Sequence, residues 1–203
     1  MNSVYITIII ALVALTFIIQ FYSQYKKKKL IKQLTPLAMG KDTQKFDELI
    51  DDQKTVRAIP EYNRIILKLN SYLAREDDAK IEKLFVYADQ VHLNERQKVD
   101  LYIRELMYYM DKSQKSKAQA VYQKLENTRD FDKIRPQIEL PYQVMALNRT
   151  DKLDQLIQKS KTVEDPEKQV AYFMLIAHIY DVLKDKKQAE AYREKAKKII
   201  ENN

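Results

Sequence analysis

The chain has 203 residues, with 36 Lys and Arg against 29 Asp and Glu, two His, no Cys, no Trp and one Gly. A single glycine excludes a phosphate-cradling loop, a dinucleotide fingerprint and a nucleophile elbow, which bring backbone close to a ligand through two or more glycines. The lack of cysteine excludes a disulfide framework, a thiolate metal site and a cysteine nucleophile, so an enzyme is not expected.

Residues 1–25 contain no Asp, Glu, Lys or Arg, and residues 26–33 hold five lysines, Lys26, Lys27, Lys28, Lys29 and Lys32, with no acid. The remainder carries 31 bases against 29 acids, so most of the net charge of +7 belongs to that cluster. No other basic gathering is visible, and nucleic acid is not an expected partner. Residues 4–22 form a run of 19 residues, mostly apolar. As a helix they span about 28 Å, close to the ~30 Å hydrocarbon core of a bilayer. Tyr5 at one end and Phe21, Tyr22 and Tyr25 at the other sit where an aromatic belt would lie. A cleaved signal peptide is the competing reading, but a positive n-region and a small-x-small cleavage site are missing. Because basic residues stay on the cytoplasmic side, three regions are predicted. These are a single-pass plasma-membrane anchor over residues 1–24 with its N-terminus outside, a basic juxtamembrane segment over 25–37 and a cytoplasmic domain over 38–203. The lysines act as a stop signal and can attract anionic lipid headgroups, at about 1 kcal/mol each near the surface.

From residue 38 onward apolar residues recur three and four apart, as in Ile65, Leu69, Tyr72 and Leu73, or Phe173, Ile176, Ala177 and Tyr180. The predicted class is all-α. Pro60 opens one helix, Asn94 with Gln97 makes a capping box, and Asp165 caps a helix that starts at Pro166. Pro136 and Pro141 are expected to bracket an irregular piece before Tyr142. Second helices begin near the polar turns around Asp77, Gln114, Thr150 and Asp185. Ala79, Ala118, Leu153 and Ala189, which mark those starts, lie 39, 35 and 36 residues apart. A fifth, degenerate hairpin runs from about Pro36 through Gly40 to Val56. Two helices per period in the mid-thirties predict an α-solenoid of four to five hairpins behind the transmembrane helix. The regular polar turns argue against one long coiled coil.

The last unit, QVAYFMLIAHIYDVLKDKKQAEAYREKAKKII, resembles a tetratricopeptide repeat. Phe173, Ile176, Ala177 and Tyr180 take the large, large, small and aromatic positions of that family's first helix. Ala189 and Ala196 match the small positions of its second, with Tyr192 one residue early. Tyr102, Leu106, Tyr109, Ala118, Tyr122 and Leu125 resemble it more loosely, and Ile65, Leu69, Tyr72 and Ala79 more loosely again. Residues 131–163 match poorly, and the family's first-helix glycine and closing proline are missing. The resemblance covers residues 60–203 and implies capture of a protein or peptide in a groove lined by first helices. Bacterial envelope-biogenesis regulators with cytosolic tetratricopeptide repeats are similar in layout.

The expected groove residues are Ile103, Met107 and Met110 in one unit and Met174 and His178 in the last, with Asp181 a further candidate there. Methionine repacks easily against varied peptides, although it also fills irregular cores. His178 and Asp181 could present two metal ligands, but three or four must converge, so no metal or cofactor is expected. No triad or paired carboxylates stand out. The expected function is a membrane-anchored adaptor that holds a membrane-associated protein or peptide at the cytoplasmic face. The rival readings are an accessory subunit bound through its membrane helix in a transporter or enzyme complex, and an extracytoplasmic chaperone or secretion-assembly factor.

Overall fold

Six of the described helices start where a short polar side chain receives their unpaired amides. The computed structural model describes residues 24–40 and 42–202. Its helices are α1 over residues 24–39, α2 Thr43–Asp51, α3 Gln53–Ala58, α4 Glu61–Ala74, α5 Asp78–Gln90, α6 Glu95–Asp111, α7 Lys115–Glu126, α8 Phe131–Pro141, α9 Leu153–Thr162, α10 Pro166–Val182 and α11 Lys186–Glu201. A π-helical turn, Tyr142–Ala146, and a 3-10 turn, Thr150–Lys152, lie between α8 and α9. Carboxylates of Asp42, Asp52, Asp77, Asp165 and Asp185 accept first-turn amides of α2, α3, α5, α10 and α11. The reciprocal capping box of Asn94 and Gln97 opens α6. Each such cap contributes about 1 kcal/mol.

Helix ends follow a second rule. Glu76, Ser113, Asn148 and Lys184 have φ of 54°, 55°, 54° and 63°, and they are spaced 37, 35 and 36 residues apart. In three of these turns the amide after the left-handed residue reaches back to a tyrosine carbonyl. Asp77 donates to Tyr72 at 3.0 Å, Gln114 to Tyr109 at 2.8 Å and Asp185 to Tyr180 at 2.9 Å. The left-handed residues themselves donate to Leu73, Met110 and Asp181 at 3.1, 3.0 and 3.0 Å. This paired closure satisfies the last carbonyls of the first helix. Glycine usually occupies the position, since a Cβ there costs roughly 1–2 kcal/mol. This chain keeps its glycine for the end of α1, where a Cβ on Gly40 would lie 2.7 Å from the Pro36 carbonyl oxygen.

The described chain divides after Leu93 into two compact units. In the first, α1 lays Leu34 and Ala38 against Phe46 and Ile50 of α2 and against Ile59, with Leu30, Ile31, Leu37, Leu49 and Leu67 around them. The α4–α5 hairpin buries Ile65, Leu69 and Tyr72 with Ile81, Leu84, Phe85 and Ala88. In the second, Val144, Leu156, Leu175, Ile176 and Ile179 form the core where α9, α10 and the π-turn meet. Tyr122 of α7 stacks on Tyr142 with centroids 3.9 Å apart and meets Phe131 edge-on at 5.7 Å. In the last hairpin Ala189 and Ala196 are buried. Tyr192 sits 5.8 Å from both Phe173 and Tyr180, in the wedge between α10 and α11.

The described residues form an all-helical, repeat-like bundle. Two expectations are corrected. The fold does not show a transmembrane helix at its head: among the described residues no helix is long and apolar enough to cross a membrane. The run over residues 4–22 lies outside the described residues. The described helix nearest to it, α1, is amphipathic, with Lys28, Lys29 and Lys32 opposite the leucines that enter the core. The second correction concerns Pro136 and Pro141, which do not interrupt the chain: α8 runs through both. Pro136, Asp132 and Gln137 are exposed, so solvent can take the carbonyls that the prolines leave without a donor. Beyond Pro141 the ladder widens, and the Leu147 amide reaches the Tyr142 carbonyl five residues back at 3.2 Å.

The left-handed turn yields a stability test. Lys184→Gly is expected to raise stability by about 0.5–1 kcal/mol, because the relief at φ 63° exceeds the added freedom of the unfolded chain. Ala189→Arg in the same hairpin is expected to cost about 1–3 kcal/mol or more through overpacking. Urea titrations of the two variants check both signs; a loss for Lys184→Gly would contradict the strain argument.

Candidate partner-binding face

The second unit offers two short rows of side chains on first helices. On α6, Ile103 is half-buried and Met107, one turn later, is 43% exposed. Met110 does not join them. It is 2% exposed and packed in the core, because the end of α6 is enclosed by its own turn and its neighbours; Tyr108 and Tyr109 beside it are buried too. The expected groove position for Met110 is therefore withdrawn. On α10, Met174 is 49% exposed and His178, again one turn later, is half-buried. Leu147 and Leu183, the residues just before the left-handed Asn148 and Lys184, are exposed apolar side chains as well. Neither was among the groove residues expected from the sequence.

His178 is held by its surroundings. Its Nε2 lies 3.3 Å from Oδ1 of Asn148, whose left-handed backbone turns the amide toward α10. Burial lowers the imidazole pKa from 6.5; Asp181 opposes this, while Lys115 and Arg193 add to it. The ring is thus a neutral hydrogen-bonding group at neutral pH. Asp181 is engaged by the Arg193 guanidinium from α11, which leaves it a poor metal ligand. Among the described residues no group of three or more His, Cys, Asp or Glu is placed to hold a metal ion.

The lysine cluster lies on α1, with Lys26, Lys28, Lys29 and Lys32 exposed and Lys27 half-buried. In the first unit a cleft of about 370 Å³ opens between α4 and α5, lined by Lys68, Tyr72, Lys80, Lys83, Leu84 and Tyr87. Lys68 is bound to Asp51 and Lys80 to Asp47, and the Tyr87 hydroxyl donates to Glu61. These are structural pairings rather than a nucleophile with its base. A larger depression of about 580 Å³ at the open end of the last hairpin is lined by Asp165, Pro166, Glu167, Val170, Ile199 and Ile200. Neither contains Ile103, Met107, Met174 or His178. No family model, no curated protein and no solved structure matches the chain.

The lowered pKa of His178 has a signed consequence. An unfolded histidine titrates near 6.5, above the folded His178, so protonation favours the unfolded chain. The stabilising contribution is complete above pH 6.5 and is lost as pH falls from there through the folded value. Urea stability should therefore decline over that interval more steeply in the wild type than in His178→Gln. A ring-proton NMR titration of His178 with a midpoint above 6.5 would contradict this.

Proposed function

We propose that this chain is a protein-binding adaptor of tetratricopeptide-repeat kind, which captures a protein or peptide without a chemical step. The observation that carries the reading is a contrast on first helices. Ile103 and Met107 on α6, and Met174 and His178 on α10, reach the surface in the same one-turn spacing. The residues flanking them, Leu106, Leu175, Ile176, Ala177 and Ile179, are core. Exposed methionines suit a partner of variable shape, since the unbranched chain changes rotamer at little cost. The neutral imidazole of His178 adds a hydrogen-bonding edge. The repeated hairpin turn supports the family assignment as an architectural likeness, which leaves the partner open.

The location proposed is the cytoplasmic face of the plasma membrane, on the strength of the charge pattern alone. The five lysines directly follow a charge-free stretch, and those on α1 would face anionic headgroups.

The test separates surface from core. Met107→Glu combined with Met174→Glu should abolish recovery of a specific partner by in-cell crosslinking and mass spectrometry, with helicity and melting unchanged. Met110→Glu should instead destabilise the fold by about 3 kcal/mol or more, as a charge placed in the core. Undiminished partner recovery by the stable double variant would remove α6 and α10 as the binding face.

A further inference from the structure

We propose that the seam between α1–α3 and the α4–α5 hairpin in the first unit is an ionic clasp, which opens with rising salt while the helices on both sides persist. Two carboxylates one turn apart on α2 carry it. Asp47 takes both terminal nitrogens of the Arg75 guanidinium, at 2.9 and 3.3 Å, and Nζ of Lys80 at 2.8 Å. Asp51 takes Nζ of Lys68 on both oxygens, at 2.7 and 2.9 Å, with Arg64 at 3.9 Å. Three of these cations belong to α4 and its cap and the fourth to the first turn of α5, so one face of α2 grips both helices of the hairpin.

The clasp is unevenly satisfied and reachable by ions. The Nε of Arg64 is buried with no hydrogen-bond partner, and its other nitrogens make only long contacts, 3.9 Å to Asp51 and 3.5 Å to Glu61. The side chains of Asp47 and Asp51 are 31% and 57% exposed, so salt screens them as it screens surface pairs. The apolar side of α2 points elsewhere: Phe46 and Ile50 sit in the core formed with Leu34, Ala38 and Ile59. Among the described residues, Leu67 is the apolar α4 side chain packed against that core. Separation therefore leaves the α1–α3 core its own contacts. It uncovers Arg64, Lys68, Arg75 and Lys80 beside Tyr72, Lys83 and Tyr87 of the cleft, a cationic face lined with tyrosine. The closed state covers this face with the chain's own acids, and the open state presents it.

The absence of cysteine makes labelling direct. Spin labels placed on the full-length chain in detergent at Glu48→Cys of α2 and Val86→Cys of α5, both exposed positions, report the seam by pulsed dipolar spectroscopy. A longer-distance population should grow roughly fivefold between about 50 and 500 mM NaCl, with far-UV helicity constant. Asp47→Asn with Asp51→Asn should show that population already at low salt. Should this variant not fold, Lys68→Gln with Lys80→Gln removes one cation from each carboxylate and must shift the population in the same direction, by less. Distances that ignore salt and both pairs of substitutions overturn the proposal. So does a loss of helicity in step with the lengthening, which would mean unfolding of the unit rather than opening of a seam.

Discussion

A left-handed residue at the end of each first helix is the constraint from which the hairpins follow. To reverse direction at once, the chain must satisfy the closing carbonyls of one helix and the opening amides of the next within a few residues. Glu76, Ser113 and Lys184 accept the left-handed conformation and close the first helix. The residue immediately after each, Asp77, Gln114 or Asp185, is already the cap position of the second. Closing and capping thus share two adjacent residues, and no slack is left between the helices. The spacing of 37, 35 and 36 residues between successive left-handed positions records helix length alone. The conformational cost of about 1–2 kcal/mol per non-glycine residue is offset by carbonyls and amides that would otherwise go without partners at a crowded turn.

The hairpin that departs from this rule organises the second unit. Pro141 cannot donate to the Gln137 carbonyl; the next amide, of Tyr142, reaches both Ile138 and Glu139, and the following turn widens to π geometry. The widening brings Tyr142 flat against Tyr122. It also lets the short Tyr142–Ala146 turn touch α6, α7, α8 and α10. Val144 and Ala146 are core residues there. A stretch that matches the repeat pattern poorly is thereby the piece on which the neighbouring helices converge.

Helix starts were legible in the sequence because capping is local chemistry: Asn94 with Gln97, and Asp165 with Pro166, act as their types and spacing dictate. Helix ends were legible only as polar turns. Glu, Ser and Lys carry no signal for positive φ, and the usual glycine is absent. The prolines misled because the carbonyls they leave without a donor, those of Asp132 and Gln137, belong to exposed residues here. Met107 and Met110 differ for another reason. Three residues apart, they share one broad face of α6, yet one is exposed and the other is core. A helical wheel gives direction, while the width of the covered arc is set by parts of the chain distant in sequence. The charge seam on α2 was invisible for the same reason, since Asp47 finds Arg75 and Lys80 only after the hairpin has formed.

Fourteen tyrosines in a chain of this size would make an adhesive surface if their rings stood bare. Cations cover many of them. Arg75 lies 5.0 Å from the ring of Tyr72, Lys117 5.2 Å from Tyr109, Lys124 5.2 Å from Tyr102 and Lys195 4.1 Å from Tyr192. Each contact shields a π-face, at a gain of about 0.5–1 kcal/mol. Aliphatic side chains have no π-face to offer, so this cover does not extend to Met107, Met174, Leu147 or Leu183. The same excess of lysine that quiets the aromatic surface leaves these positions as its apolar contrast. That contrast, more than hydrophobicity as such, is what supports the proposal of the first-helix face as a binding surface.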